Sequence, residues 1–308
     1  MTLTELRYVV AVARERHFGR AAQACHVAQP TLSVAVKKLE DELGGKLFER
    51  GSGDVSPTPL GEAVAREAQQ VLEQVQGIKA LAQRAQDPLA GPLTLGVIYT
   101  IGPYLLPKLV RQIIARTPQM PLVLQENFTV ALLEMLRHGE IDCAILAEPF
   151  PDAGLAVAPL YDEPFQIALP RTHRLAKESS ISAEQLKRET MLLLGHGHCF
   201  RDQVLDVCPE FARFGGDGDG PRHGFEGSSL ETIKHMVASG MGVTVVPQLS
   251  IPAAADPHVV YIPFTPPAPS RRVVLVWRRS FTRYEAIAAL RNAVVSLKLH
   301  GISWATPK

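Results

Sequence analysis

Apolar positions along the first sixty residues recur with the period of short amphipathic helices. Thr2 and Glu5 have the spacing of a capping box, and Leu6, Val9, Val10 and Ala13 follow at helical intervals, which predicts a first helix. A second is expected from about Gly19 to Cys25, where the small Ala21 and Ala22 let another helix lie close. After the turn His26-Val27-Ala28, Pro30 opens a third through Leu32, Val34, Val36 and Leu39, which stops near Gly44-Gly45. Two short helices joined by such a turn form a helix-turn-helix. Residues 46–58, Gly-rich at their centre, read as a hairpin and add a wing.

From Pro59 the pattern changes. Val64, Ala68, Val71, Val75, Ile78 and Ala82 repeat in steps of four and three along a helix that Pro88 ends. A helix of about 40 Å with one apolar seam predicts a two-stranded coiled coil, and so a dimer. Beyond Pro92, β-rich runs at 93–100, 122–126 and 142–147 alternate with helices at 105–116 and 130–137. Further apolar runs follow at 165–169, 191–194, 243–247, 259–262 and 273–277. Between them lies a helix opened by Ser228-Ser229-Leu230-Glu231, read as a second capping box, and ended by Gly240; a last helix spans about Thr282 to Leu299. The alternation argues an α/β fold with a mainly parallel sheet.

Composition narrows the picture. A chain of 308 residues calls for roughly two or three domains, and 46% hydrophobic with 20% charged residues argues against long disordered stretches. Glu5 and Arg7 stand where a secretory signal needs an apolar core, and no run of about 18 apolar residues offers a membrane span, so a reducing cytoplasm is the expected location. Residues 1–58 hold eight Lys or Arg against seven Asp or Glu, so any positive surface must come from segregation. The start of the second helix of a helix-turn-helix meets base edges, which makes Gln29, Thr31, Ser33 and Lys37 candidates, with Pro30 setting the start. Lys37, Lys38, Lys46 and Arg50 are expected near phosphate, and Glu40, Asp41 and Glu42 away from it.

Of the four cysteines, Cys25 and Cys143 lie in apolar runs and read as small buried hydrophobes. Cys199 differs, because it follows the loop His196-Gly197-His198 and precedes a predicted helix with Phe200, Val204 and Val207 on one face. A helix N-terminus with Arg201 one turn away favours a thiolate, so Cys199 reads as a reactive thiol. His196, His198, Cys199 and Cys208 are all zinc-ligand types, yet short Cys-x-x-Cys pairs are missing. A metal site therefore ranks below redox chemistry, and no metal or other cofactor is expected.

Phe18-Gly19-Arg20-Ala21-Ala22, Gln29-Pro30-Thr31-Leu32-Ser33, Lys38-Leu39-Glu40, Leu43-Gly44, Leu47-Phe48-Glu49-Arg50 and Thr58-Pro59-Leu60-Gly61 together resemble the LysR-type transcriptional regulators. The likeness covers essentially the whole chain, with Ala28 departing from the serine common there. It implies an α/β protein with a winged helix-turn-helix over 1–58, a linker helix over 59–88 and a periplasmic-binding-protein-like regulatory module over 89–308. The module would have two α/β subdomains, one of about 89–162 plus 267–308 and the other of about 163–266. The resemblance further implies a homotetrameric activator, not an enzyme, that binds promoter DNA and engages RNA polymerase. An alternative within the family is a regulator answering a small organic effector between the subdomains. A free-standing thiol peroxidase or solute-binding protein has no place for the N-terminal motif.

Within that family, His198-Cys199-Phe200-Arg201-Asp202 with Cys208 resembles the peroxide-responsive members, which implies hydrogen peroxide as the signal. It implies Thr100 and Thr129 as positioning hydroxyls beside His198. Taken alone, a threonine at such a position is more often a helix cap, and Thr129 before Val130 fits that reading. Arg271 and Arg272 both lie on a later strand; the sequence does not choose between them, and Arg271 is carried forward. Peroxide would turn the Cys199 thiolate into a sulfenic acid that condenses with Cys208. Nine helical residues would set the pair roughly 13 Å apart along the axis, against about 7 Å between the Cα atoms of a disulfide. Pro209 is expected to cut the helix short, yet oxidation should still refold this segment and change tetramer packing on DNA. The strain would leave the disulfide reducible by cytoplasmic thiols.

Overall fold

The structure is a computed structural model that describes residues 1–50, 55–84, 89–209, 211 and 226–305. Helices α1 (Leu3–Glu15), α2 (Phe18–Ala24) and α3 (Gln29–Leu43) close around Leu6, Val9, Ala21, Leu32, Val36 and Leu39. The capping box at Thr2 forms, with the Glu5 carboxylate accepting the Thr2 N–H at 2.7 Å. At α2 the cap is His17, whose Nδ1 accepts from the N–H groups of Gly19 and Arg20. Ala28 caps α3 with no side-chain bond, and Gly44 ends it at φ 70°, a left-handed conformation suited to glycine. Val34 is 68% exposed, because two residues at 100° each turn it away from the buried Leu32 and Val36.

Strands β1 (Phe48–Arg50) and β2 (Val55–Pro57) pair antiparallel as the wing, whose tip at 51–54 lies outside the described residues. Glu40 turns inward rather than staying with Asp41 and Glu42 at the surface. It is buried, its Oε1 accepts from the N–H groups of Leu47 (2.8 Å) and Phe48 (3.3 Å), and its Oε2 accepts from Lys46 Nζ (2.9 Å). An acid that satisfies two buried donors joins the wing to α3, while Asp41 and Glu42 stay exposed.

Helix α4 (Pro59–Arg84) packs Ala65 and Ala68 into the core formed by α1. The predicted seam divides: Val64 and Ala68 face the chain's own helices, whereas Val71 and Ile78 are 39% and 66% exposed. The Ala82 side chain and residues 85–88 lie outside the described residues.

Strand β3 (Leu93–Ile98) runs parallel between β4 (Leu122–Asn127) and β5 (Cys143–Ala147), linked through α5 (Gly102–Arg116) and α6 (Thr129–Arg137). Within this large sheet every other pairing is antiparallel, which corrects the expectation of a mainly parallel sheet. Strand β6 (Leu155–Pro170) runs unbroken for 16 residues. After it come α7 (Ala183–Leu186), β7 (Leu193–Leu194), α8 (Cys199–Val207), β8 (Glu226–Gly227), α9 (Leu230–Ala238), β9 (Thr244–Pro247) and β10 (Val259–Pro263). The chain closes with β11 (Ser270–Arg278), α10 (Tyr284–Val295) and β12 (Ser303–Trp304). Strands β9, β10, β11 and β12 all pair antiparallel with β6, and β11 also pairs with β5. Ser229 caps α9 by accepting from Thr232 N–H, but Glu231 does not complete a box; it turns to Tyr104 and Lys234.

Two apolar cores result. One gathers β3, β5, α5, α6 and α10 with Leu160 and Tyr161; the other gathers α8, α9, β9 and β10 with Phe165 and Ile167. Strand β6 serves both, its first half in one core and its second half in the other. The loops after β3 and β4 and the start of α8 meet where the cores adjoin.

Candidate functional site

Thr100 follows β3, Phe128 caps α6 with Thr129 as its first residue, and Gly197-His198-Cys199 opens α8. Together with Tyr99 these residues line a small cavity of about 10 Å³, room for about one water-sized molecule. The Thr129 hydroxyl is buried and has no hydrogen-bond partner among the described residues. That sets aside a capping role for it, since the cap position belongs to Phe128. A buried hydroxyl without a partner costs about 1–3 kcal/mol, so its position in a small cavity marks a place for a polar guest.

Thr100 is buried too, and its Oγ1 accepts from Arg271 Nη1 at 2.8 Å while its carbonyl accepts from Nη2 at 3.0 Å. With that lone pair engaged, the hydroxyl proton remains to be donated. Arg271 is itself buried, ion-paired with Glu163 (Nη2 to Oε2, 2.8 Å) and set 5.2 Å from the centre of the Phe200 ring. The choice left open by the sequence falls to Arg271, because Arg272 points to the surface and pairs with Asp162.

His198 faces the Ser228 carbonyl through Nε2 at 3.2 Å, which assigns the proton to Nε2 and leaves Nδ1 an acceptor. Burial holds this imidazole below its ordinary value of 6.5, against the upward pull of the Ser228 carbonyl, so it is neutral near pH 7. Arg201 is held by β7 and β8. Its guanidinium donates to the Leu194 carbonyl (2.8 Å) and pairs with Glu226 (2.8 Å), fixing the β7–β8 edge beside the loop.

Cys199 is half-buried at the first position of α8; Cys208 is fully buried just past its end, and no disulfide joins them. The helix runs through Val207, longer than Pro209 led the sequence to predict, because Pro209 reaches only Cys208, at φ −130° and ψ 68°. At about 1.5 Å per residue the two cysteines lie roughly 13 Å apart along the axis. Cys143 and Cys25 are of another kind, for burial pushes both thiols up, away from the reactive thiolate.

On α3, Gln29, Pro30, Thr31 and Lys37 are exposed and Ser33 is partly so; the Arg50 side chain lies outside the described residues. Lys38 is drawn to Glu5 at 3.2 Å and Lys46 to Glu40. Val34 shares the exposed face and was not among the candidates read from the sequence. Also missed were Glu163, Tyr99 and Phe128. A charged residue inside the otherwise apolar β6 was the available signal for the first, whereas ring neighbours across three loops leave none in the sequence. No group of three or more His, Cys, Asp or Glu among the described residues is arranged to hold a metal ion, and none of their helices is long and apolar enough to cross a membrane.

A winged helix-turn-helix on a long helix, followed by two α/β lobes around a small buried cavity, defines a ligand- or signal-responsive DNA-binding regulator. Residues 3–62 match the bacterial regulatory helix-turn-helix proteins of the lysR family, and residues 86–297 match the LysR substrate binding domain. The chain belongs to the LysR family. Within it, the chain is 40% identical over 292 residues to the hydrogen peroxide-inducible genes activator of Pectobacterium carotovorum subsp. carotovorum, covering 94% of this chain and 95% of that protein. Full-length OxyR from Pseudomonas aeruginosa, solved with a cysteine-to-aspartate substitution, superposes with a TM-score of 0.78 at 50% identity, covering 97% of this chain and 99% of that one. A cysteine-to-serine mutant of Corynebacterium glutamicum OxyR, solved with H2O2 bound, gives a TM-score of 0.62 at 33% identity over 96% of this chain and 91% of its own.

Proposed function

We propose that this chain is a peroxide-sensing transcriptional regulator whose sensor is Cys199. The observation that carries the reading is the buried Thr129 hydroxyl, without a partner among the described residues, in a small pocket shared with Cys199. Peroxide donates and accepts hydrogen bonds, and the cavity offers both kinds of partner: the Thr100 hydroxyl to donate, Thr129 Oγ1 and His198 Nδ1 to accept. The Cys199 thiolate attacks one peroxide oxygen; the S–O bond forms, the O–O bond breaks, and hydroxide leaves to be protonated to water. The thiol of Cys208 then attacks the sulfenic sulfur, so that the S–S bond forms, the S–O bond breaks and a second water leaves.

Bridging about 13 Å requires α8 to unwind, which withdraws Phe200 and Val204 from the second core. A local oxidation thereby becomes a change in how the regulatory lobes pack. In a homotetramer held by α4 and the lobes, that change respaces the helix-turn-helix pairs on promoter DNA and alters contact with RNA polymerase. Gln29, Thr31, Ser33, Lys37 and Arg50 contact DNA, and Val34 adds an apolar surface suited to a thymine methyl. Cytoplasmic thiols return the pair to its reduced form.

Mass spectrometry after stoichiometric hydrogen peroxide is the direct check. The expected product has lost two hydrogens and joins Cys199 to Cys208, and Cys199→Ser does not form it. Persistence of both thiols in the unmodified chain would overturn the reading.

A further inference from the structure

We propose that the rings of Tyr99, Phe128 and His198 form a size filter that admits hydrogen peroxide to Cys199 and excludes alkyl hydroperoxides; this rests on the peroxide-sensing reading of the same site. The three rings stand edge to face around the cavity, with centroids 5.2 Å apart for Tyr99 and Phe128, 4.8 Å for Phe128 and His198, and 5.9 Å for Tyr99 and His198. Each contacts both others, so no ring shifts alone. Phe128 is pinned from the loop side as well. A Cβ on Gly197 would lie 3.3 Å from its ring, and Gly197 holds φ 94°, a conformation that keeps the loop pressed against Phe128 without a side chain between them.

The chemistry itself does not discriminate. With any hydroperoxide the thiolate sulfur takes the terminal oxygen, the O–O bond breaks, and the leaving alkoxide is protonated to the alcohol. Access must decide, and the cavity of about 10 Å³ holds one small molecule. The four carbons of a tert-butyl group far exceed that volume, so the ring cluster must open wider for them than for hydrogen peroxide. Breaking two edge-to-face contacts corresponds to about tenfold to a hundredfold in rate. Tyr99 lies at the rim, 39% exposed, while His198 is buried, so the filter narrows inward from solvent to thiol.

Stopped-flow rate constants for hydrogen peroxide and tert-butyl hydroperoxide on the full chain test this in the wild type, Phe128→Ala, Phe128→Leu and Tyr99→Ala. The expected result is that opening the cluster raises the ratio of the tert-butyl constant to the hydrogen peroxide constant by about tenfold or more, most in Phe128→Ala. Phe128→Leu keeps an apolar side chain against Gly197 and decides the matter if the alanine variant does not fold. A parallel gain in alkylation of Cys199 by a bulky maleimide over iodoacetamide separates opened access from altered thiol chemistry. A ratio unchanged in both Phe128 variants would overturn the filter. Failure of the wild type to react with hydrogen peroxide would instead overturn the sensing reading beneath it.

Discussion

At the scale of single residues, the site depends on a charge the sequence did not reveal. Arg271 reaches Thr100 because Glu163 holds it: Oε2 accepts from Nε at 2.9 Å and from Nη2 at 2.8 Å, and Oε1 accepts from Leu249 N–H at 2.7 Å. Both side chains are about 1% exposed, so removing one strands the other in the interior. Glu163→Ala is expected to destabilise the fold by about 3–5 kcal/mol, whereas Arg272→Ala, which breaks the exposed pair with Asp162, changes it by about 1 kcal/mol or less. Urea unfolding of the two variants checks the contrast, and equal effects would contradict it. Cys199 stood out from its loop and the helix after it, whereas Thr100 and Thr129 entered only through the family resemblance. The partners of Arg201, Glu226 and the Leu194 carbonyl, were not legible, because only the fold brings β7 and β8 beside it.

At the scale of elements, α8 is a helix that persists only where it is docked. It has nine residues, too few for stability alone, and its acidic Asp206 lies near the negative end of the helix dipole. What holds it is tertiary: Phe200 meets Phe165 edge-on with centroids 5.1 Å apart, Val204 is buried, and Gln203 donates to the Glu148 carbonyl at 2.8 Å. Weakening that docking should favour the oxidised form, where the proposed refolding has already undone it. Phe200→Ala is expected to move the midpoint of a glutathione redox titration about 30 mV or more toward the reducing side, since 30 mV corresponds to about 1.4 kcal/mol. An unmoved midpoint would mean that Phe200 is packed alike in both states. The start and inner face of α8 could be read in the chain, but the unity of β6 could not. Asp162, Glu163 and Pro164 interrupt its apolar run at the place where the strand passes from one core to the other, which in one dimension looks like a loop.

At the scale of the whole molecule, the question is how a change at α8 reaches α4. Strand β11 carries Arg271 at one end and Arg278 seven residues on, about 23 Å away along an extended strand. Arg278 is buried, donates to the carbonyls of Leu136 and Ile141, and pairs with Glu73 of α4 at 2.6 Å; the same carboxylate accepts from Ser280 Oγ at 2.6 Å. One strand thus joins the sensing cavity to the linker helix, and it lies mid-sheet between β5 and β6, where it moves only with its neighbours. Glu73 is the link that can be neutralised while leaving an acceptor in place, because a glutamine amide oxygen can still face Arg278, whose Nη1 donates to both carbonyls. Glu73→Gln keeps the shape of the side chain and removes its charge. The expected outcome is a separation of sensing from response: the Cys199–Cys208 disulfide forms at the wild-type rate, while the difference between reduced and oxidised DNase footprints on one promoter shrinks. A footprint difference equal to that of the wild type would show that the signal travels to DNA by another route, through contacts between subunits rather than along β11.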